Sequence, residues 1–327
     1  MSVLYDTNNL VLNSSNGISS NNTTFRYTFI QGSFEIRENS EICISQIQIP
    51  YSWFNLNKTL YNNTTFSYKW NGTIYNYTFS DGFYSVDDLN NALQNYFISN
   101  NHYLLSSTST NYYFFIYILT NQTYYTNQII TYSIPTSLPT GYTEPAGGFP
   151  FSSNNYTPQV VLTSNFGKLI GFTSGTYPSI LQTTNYNILG SIIPIITPIN
   201  SIIITSSIIN NDCANQSNIL DTFPISNTSF GSNISYIPTY EKWISLKAGS
   251  FSSFDISFLD QDLNTIAAND NTVLISLLIR QIRLPKINTN LITNHYSNIQ
   301  ELKKLQNKPD DQQIQPKKIV LTSINDL

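Results

Sequence analysis

Runs of β-branched and aromatic residues, cut every few positions by Asn, Ser, Gly or Pro, extend through most of this 327-residue chain. No other feature limits the fold as much. Such residues fit the pleated, half-buried surface of a strand, and the punctuation allows only short strands, so the chain reads as all-β. Residues 24–34 alternate through Phe25, Tyr27 and Phe29 and then turn at Gln31-Gly32. Between Glu41 and Ile49, Ile42 and Ile44 share one face, and then the apolar phase jumps to Ile47 and Ile49. A one-residue slip inside a strand predicts a β-bulge near Ser45-Gln46, and bulges bend strands as curved sandwiches and barrels require.

Phe66 to Trp70, then Asn71-Gly72, then Thr73 to Phe79 spell a hairpin. Asn-Gly satisfies both positive φ angles of a type I′ turn. One helix follows it. Ser85 is placed to cap the N-terminus with Asp88 three residues on, a capping box with Asp in place of Glu. Val86, Leu89, Leu93, Tyr96 and Phe97 then recur at helical spacing on one face, which predicts Leu89, Leu93 and Phe97 buried and Asp87 exposed. Further strands are expected at residues 112–119, 128–134, 202–209, 254–259 and 273–282. The last is so continuously apolar that burial on both faces is expected. Residues 135–158 hold five prolines and three glycines and read as a long loop.

Charge is scarce, and that limits function. Charged residues make up 10% of the chain, against roughly 25% in an average soluble domain. Residues 100–240 carry only Glu144, Lys168, Asp212 and Asp221. AT-rich codons explain part of the composition, since Asn (42), Ile (43) and Tyr (23) are all abundant, yet Lys stays at 11. A stretch that neutral must pack against itself or a neighbour, or present a surface of amides and hydroxyls. The net charge of −4 argues against binding driven by phosphate neutralisation. The start, Met1 to Asp6, lacks the basic and apolar regions of a signal peptide. The longest apolar stretch, residues 192–204, is broken by Pro194, Pro198, Asn200 and Ser201 and is not expected to span a membrane. Two cysteines, Cys43 and Cys213, make no disulfide framework.

Residue patterns that carry chemistry are weak. His102 and His295 have no metal-ligand partner at i+3 to i+5 and no neighbouring cysteine, so both read as ordinary loop or tail residues rather than zinc ligands. Cys43 lies within a strand and reads as a packed thiol. Residues 171–175 resemble a hydrolase elbow but have Thr173, not Ser, at the centre, and read as a turn. Asp260-Gln261-Asp262-Leu263-Asn264 opens like a calcium loop, but Thr265 replaces the required Gly and Asn271 the required Glu, so a solvated turn is expected. No spacing picks out a carboxylate pair for glycoside hydrolysis. The expectation is a protein with no catalytic, cofactor-binding or metal-binding residues, and not an enzyme.

One ordered combination is specific. Thr24-Phe25-Arg26-Tyr27-Thr28-Phe29 with Gly32-Ser33-Phe34 is followed by residues 41–49 and by Pro50-Tyr51-Ser52-Trp53-Phe54-Asn55. Then come Asp81-Gly82-Phe83-Tyr84-Ser85-Val86-Asp87-Asp88-Leu89-Asn90 and Phe166-Gly167-Lys168-Leu169-Ile170-Gly171-Phe172 with Tyr177-Pro178. Over residues 20 to 285 this order resembles the minor capsid, or penton, proteins of virophages and Polinton-type viruses. The resemblance implies a jelly-roll β-sandwich that forms homopentamers at the five-fold vertices of an icosahedral virion, beside a double-jelly-roll major capsid protein. It carries no catalytic residues and no cofactor. The length suggests a discontinuous jelly-roll domain, residues 1–59 and 191–285, with a mostly β subdomain containing one α-helix inserted at 60–190.

Low charge fits a shell subunit, whose faces must pack against copies without long-range repulsion. A host-surface receptor contacted through the insert is a further possible partner, whereas specific nucleic-acid binding and a transmembrane segment are not expected. Two other readings stand beside this one: a surface adhesin or lectin-like glycan-binding module, from the Tyr- and Asn-rich middle, and a β-sandwich hydrolase. Residues 286–327 hold six of the eleven lysines and a helical step at Ile299, Leu302 and Leu305. They read either as a docking arm, with Lys318 to Thr322 adding as a strand to a sheet edge, or as a disordered tail.

Overall fold

The computed structural model describes residues 5–18, 23–214, 216–226 and 228–282. His295 and both elements expected in the tail lie outside the described residues. Eight strands build the first body: β1 (Tyr5–Asn13), β2 (Thr24–Thr28), β3 (Glu41–Pro50), β4 (Ser201–Ser206), β5 (Ile219–Pro224), β6 (Asn233–Tyr236), β7 (Ser253–Leu259) and β8 (Leu274–Ile282). They form two antiparallel sheets, ordered β1-β8-β3-β6 and β5-β4-β7-β2, with the two-residue strand Ile244–Ser245 also paired to β3. β1 pairs with β8, β2 with β7, β3 with β6 and β4 with β5. This nested pairing is a long hairpin folded over on itself. It is the jelly roll, so the expected fold class holds.

The sequence explains the sandwich strand by strand. β7 alternates without a break, with Phe254, Ile256 and Phe258 buried and the residues between them half-buried. In β3 the slip falls at Ser45: Ser276 pairs with Gln46, the next residue, Leu277, pairs with Ile44, and Ser45 is left without a partner. The bulge lets Ile42, Ile44, Ile47 and Ile49 all enter one core despite the phase change. β8 departs from expectation. Ile275, Leu277 and Ile279 are fully buried, but Leu274, Leu278 and Arg280 on the other face are only half-buried. The outward face is covered in part by the 236–246 segment, where the Arg280 guanidinium lies 4.0 Å from the Trp243 ring; Arg280 Nε also donates to Glu41 of β3 at 2.6 Å.

Residues 51–200, the whole connection from β3 to β4, hold a second structure with its own apolar cluster. Three small antiparallel sheets surround it. One joins Gly175–Tyr177, Gln159–Leu162, Thr65–Trp70 and Thr73–Thr78. A second joins Tyr186–Leu189, Thr126–Thr131 and Ile116–Asn121. The third joins Tyr142–Thr143, Tyr103–Ser106 and Tyr112–Phe114. Asn71 and Gly72 take φ of 48° and 82° between the paired Trp70 and Thr73, as the type I′ turn demands. Helix α1 (Val86–Ser99) starts at Ser85, whose hydroxyl accepts from the Asp88 amide while Asp88 accepts from the Ser85 amide. Leu89, Leu93 and Phe97 are buried and Asp87 is exposed. The strand expected at 112–119 is two strands. It breaks at Phe115, whose ring turns into the core against Trp70 and Phe149, and the halves join different sheets.

Asn55 ties the two ends of this excursion together. Its buried side-chain amide donates to the Tyr84 carbonyl at 2.8 Å and the Ile196 carbonyl at 2.9 Å, and it accepts from the Tyr84 amide at 2.8 Å. An aromatic run, Tyr51, Phe83 and Phe230, bridges from the connection back to the sandwich, with Phe83 and Phe230 stacked at 4.8 Å.

Candidate functional site

Among the described residues, those singled out for chemistry do not gather into one site. His102 is not the ordinary loop residue expected of it. It is 1% exposed, its ring stacks on Trp70 at 4.1 Å, and its Nδ1 shares a 2.7 Å hydrogen bond with the Tyr68 hydroxyl. Burial holds its pKa down at about 4, so the ring is neutral at pH 7. Cys43 is the packed thiol expected, and burial pushes its pKa up to about 11; Cys213 is exposed. Gly171 ends helix α2 (Ser164–Ile170) in a left-handed conformation, which accounts for the Gly-rich run there. Asp260 uses one carboxylate oxygen to accept from the amides of Asp262 and Asn264, making a self-contained turn. Among the described residues, no group of three or more His, Cys, Asp or Glu gathers as a metal site.

The molecule's surfaces carry more information than these groups. Of the four strands that end the sheets among the described residues, three are blunted. β2 presents Arg26, paired with Asp255 through two hydrogen bonds of 2.7 and 2.8 Å. β5 ends in Pro224, and β6 is four residues long. β1 is nine residues long with Asp6 as its one charge, and every residue outside Leu10 and Leu12 is exposed, Val11 at 48%. A long, nearly uncharged edge strand is a template for pairing with another chain.

A second feature invisible to sequence reading ties the sheets together at one end of the sandwich. Asp221 on β5 accepts from Lys242 Nζ and from the Tyr236 hydroxyl of β6, both at 2.7 Å, and Tyr236 stacks on Phe223 at 4.4 Å. Lys242 is raised by its hydrogen bond to Asp221, an effect that burial partly opposes. Only Asp221, an isolated charge in a neutral stretch, could have signalled it. Shallow depressions of about 310, 420, 150 and 550 Å³ mark the excursion between β3 and β4, and Lys168 is the one charged residue in their linings. No helix of the described residues is long and apolar enough to cross a membrane.

No protein-family model matches the chain, and no curated protein does. Among solved structures, the crystal structure of the mavirus penton protein is similar to it at 10% identity with a TM-score of 0.40, over 86% of this chain and 100% of that one.

Proposed function

We propose that this chain is a non-enzymatic structural subunit of an icosahedral virion, a penton-type minor capsid protein that assembles as a homopentamer at the five-fold vertices and packs against a double-jelly-roll major capsid protein. The jelly-roll strand order carries the reading. It is the fold implied by the ordered motifs of residues 20–285, and it is one that viral shells share with lectins. Two properties support a shell over a solitary module: the nine-residue strand β1 that ends its sheet among the described residues, and a charged fraction of only 10%. A ring of five uses one patch against a different patch of the next subunit and closes by rotation. The jelly roll forms the ring wall, and residues 51–200 form an inserted subdomain carried on it.

Negative-stain images and mass measurement of the full-length protein test the proposal, alone and with major capsid protein added. Five-fold rings, or incorporation into them, are expected. Strict monomers that never co-assemble remove the reading. The β1 edge is tested by Val11→Lys, which is expected to abolish assembly while the fold persists. A lectin-like module remains the second reading, favoured by exposed tyrosines on the insert. A monomer that binds glycans selects it. A β-sandwich hydrolase is the third reading, and a cleft with two facing carboxylates would select it.

A further inference from the structure

On the insert's second sheet, Ile118, Ile129 and Ile188 are in register and point inward, so Leu119, Gln128 and Leu189 share the opposite, outer face. Three side-chain amides cross that face in a line. Asn121 Nδ2 donates to Gln128 Oε1 at 3.2 Å, and Gln128 Nε2 donates to Asn187 Oδ1. A chain of amides bonded head to tail leaves donors unused at one end and an acceptor unused at the other, here on Asn187 and Asn121. At the end of the sheet, Tyr124 and Tyr125 stand on the turn between residues 121 and 126, exposed by 67% and 76%. Tyr125 and Tyr124 line separate depressions, and Asn121 belongs to both linings. Neither lining contains a charged residue.

Tyr125 also has a backbone a tyrosine seldom adopts, with φ of 50° and ψ of 42°. Among the described residues, seven other than glycine have positive φ, and five of them are Asn: Asn39, Asn62, Asn71, Asn101 and Asn155. In a chain with 42 asparagines, a bulky aromatic at such a position keeps strain that Asn or Gly would relieve. Nothing in the core needs this ring, since it projects into solvent. Strain kept for an exposed side chain points to a role for that side chain in binding.

We propose that this face, with the Tyr124–Tyr125 turn, binds a neutral oligosaccharide. A pyranose ring has an apolar C–H face and a rim of hydroxyls that donate and accept. Exposed tyrosine rings match the face, the polarised amide line matches the rim, and the lack of charge excludes acidic sugars as the preferred class. The site stands on its own residues whether or not the chain assembles into a shell.

The test titrates the full-length protein with chitotetraose, cellotetraose and mannotetraose, and with sialyllactose and a heparin tetrasaccharide as charged probes. At least one neutral probe is expected to bind saturably and to keep its affinity at about 0.5 M salt, where charge-driven binding is screened. Tyr124→Ala and Gln128→Ala are each expected to weaken binding about tenfold. Tyr125→Asn serves as the fold-safe variant, because it relieves the backbone while removing the ring; binding is expected to fall and the melting temperature to hold or rise. Tyr240→Ala, equally distant from burial at 67% exposure, is expected to change nothing. Failure of every neutral probe, preference for the acidic ones, or binding that survives the joint loss of both turn tyrosines overturns the proposal.

Discussion

The sandwich and the insert are both β-rich, yet they are held together differently. In the sandwich cluster, isoleucine supplies 15 of 28 buried apolar side chains; in the insert cluster, aromatic rings supply 10 of 23 and isoleucine 5. Long sheets facing each other repeat one spacing, and stiff β-branched side chains fill it. Three small sheets around a helix leave gaps of unequal shape, which broad rings fill edge to face, as Phe66 does against Phe166 and Phe97 against Tyr68. Polar satisfaction divides the same way. All three ion pairs among the described residues lie in the sandwich. The buried asparagines, Asn55, Asn63, Asn90 and Asn127, all lie in the insert. There an amide side chain takes the place of a missing strand: Asn90 on α1 accepts from the Ile118 amide at 2.9 Å and donates to the Ile118 carbonyl, as a neighbouring residue in a ladder would.

The sharpest way to break this comparison is to empty one core and observe the other. Phe166→Ala removes a ring packed between Phe66 and Phe79 and should cost about 3–5 kcal/mol. Hydrogen exchange should show that loss in the insert's amides and leave β3 and β8 protected. An equal loss across both bodies would mean that the two clusters are one energetic unit.

Acid is the next lever, and it also acts on the insert. His102 titrates at about 4 in the folded chain against an ordinary 6.5, so between those values the unfolded state binds the proton and the folded state does not. Stability is therefore full above pH 6.5 and declines as pH falls toward 4, by about 3 kcal/mol in all. Denaturant midpoints across that window should show the decline, and His102→Phe should flatten it. A flat profile in the unaltered protein would refute the buried-neutral assignment.

The smallest expected effect is Asn90→Ala, which leaves the Ile118 amide and carbonyl without their partner at about 2 kcal/mol. Asn76→Ala, an exposed amide in the same body, should do nothing measurable by comparison. If the two substitutions behave alike, asparagine is not acting as ladder in the insert.

The same contrast explains what could be read from sequence. Alternation, the β3 bulge, the Asn-Gly turn and the capped helix are set by residues within a few positions of one another, and they were legible. The break at Phe115 was not, because the pattern of 112–119 is a good strand locally and only the competing claims of two sheets divide it. β8 looked buried on both sides because Leu274 and Leu278 extend its apolar run onto the outward face, yet a short segment covers that face only in part. Asparagine was hardest to place. In a chain rich in it, nothing local separates Asn90, which completes a sheet, from Asn187, which faces water. The amide line from Asn121 to Asn187 joins three strands 66 residues apart at its ends, so no window of sequence contains it.

The Asn55 clamp has an architectural consequence. It holds Ile196, 141 residues further along, against the point where the chain leaves the sandwich. Closing a loop that long costs entropy that grows only with the logarithm of its length, so once the two ends are pinned the jelly roll is nearly indifferent to how much chain lies between them. The junction is thus a mounting point: a cassette of another size or chemistry could be exchanged there, provided it supplies an Asn at the entry and a free carbonyl at the exit, without altering the sandwich that carries it.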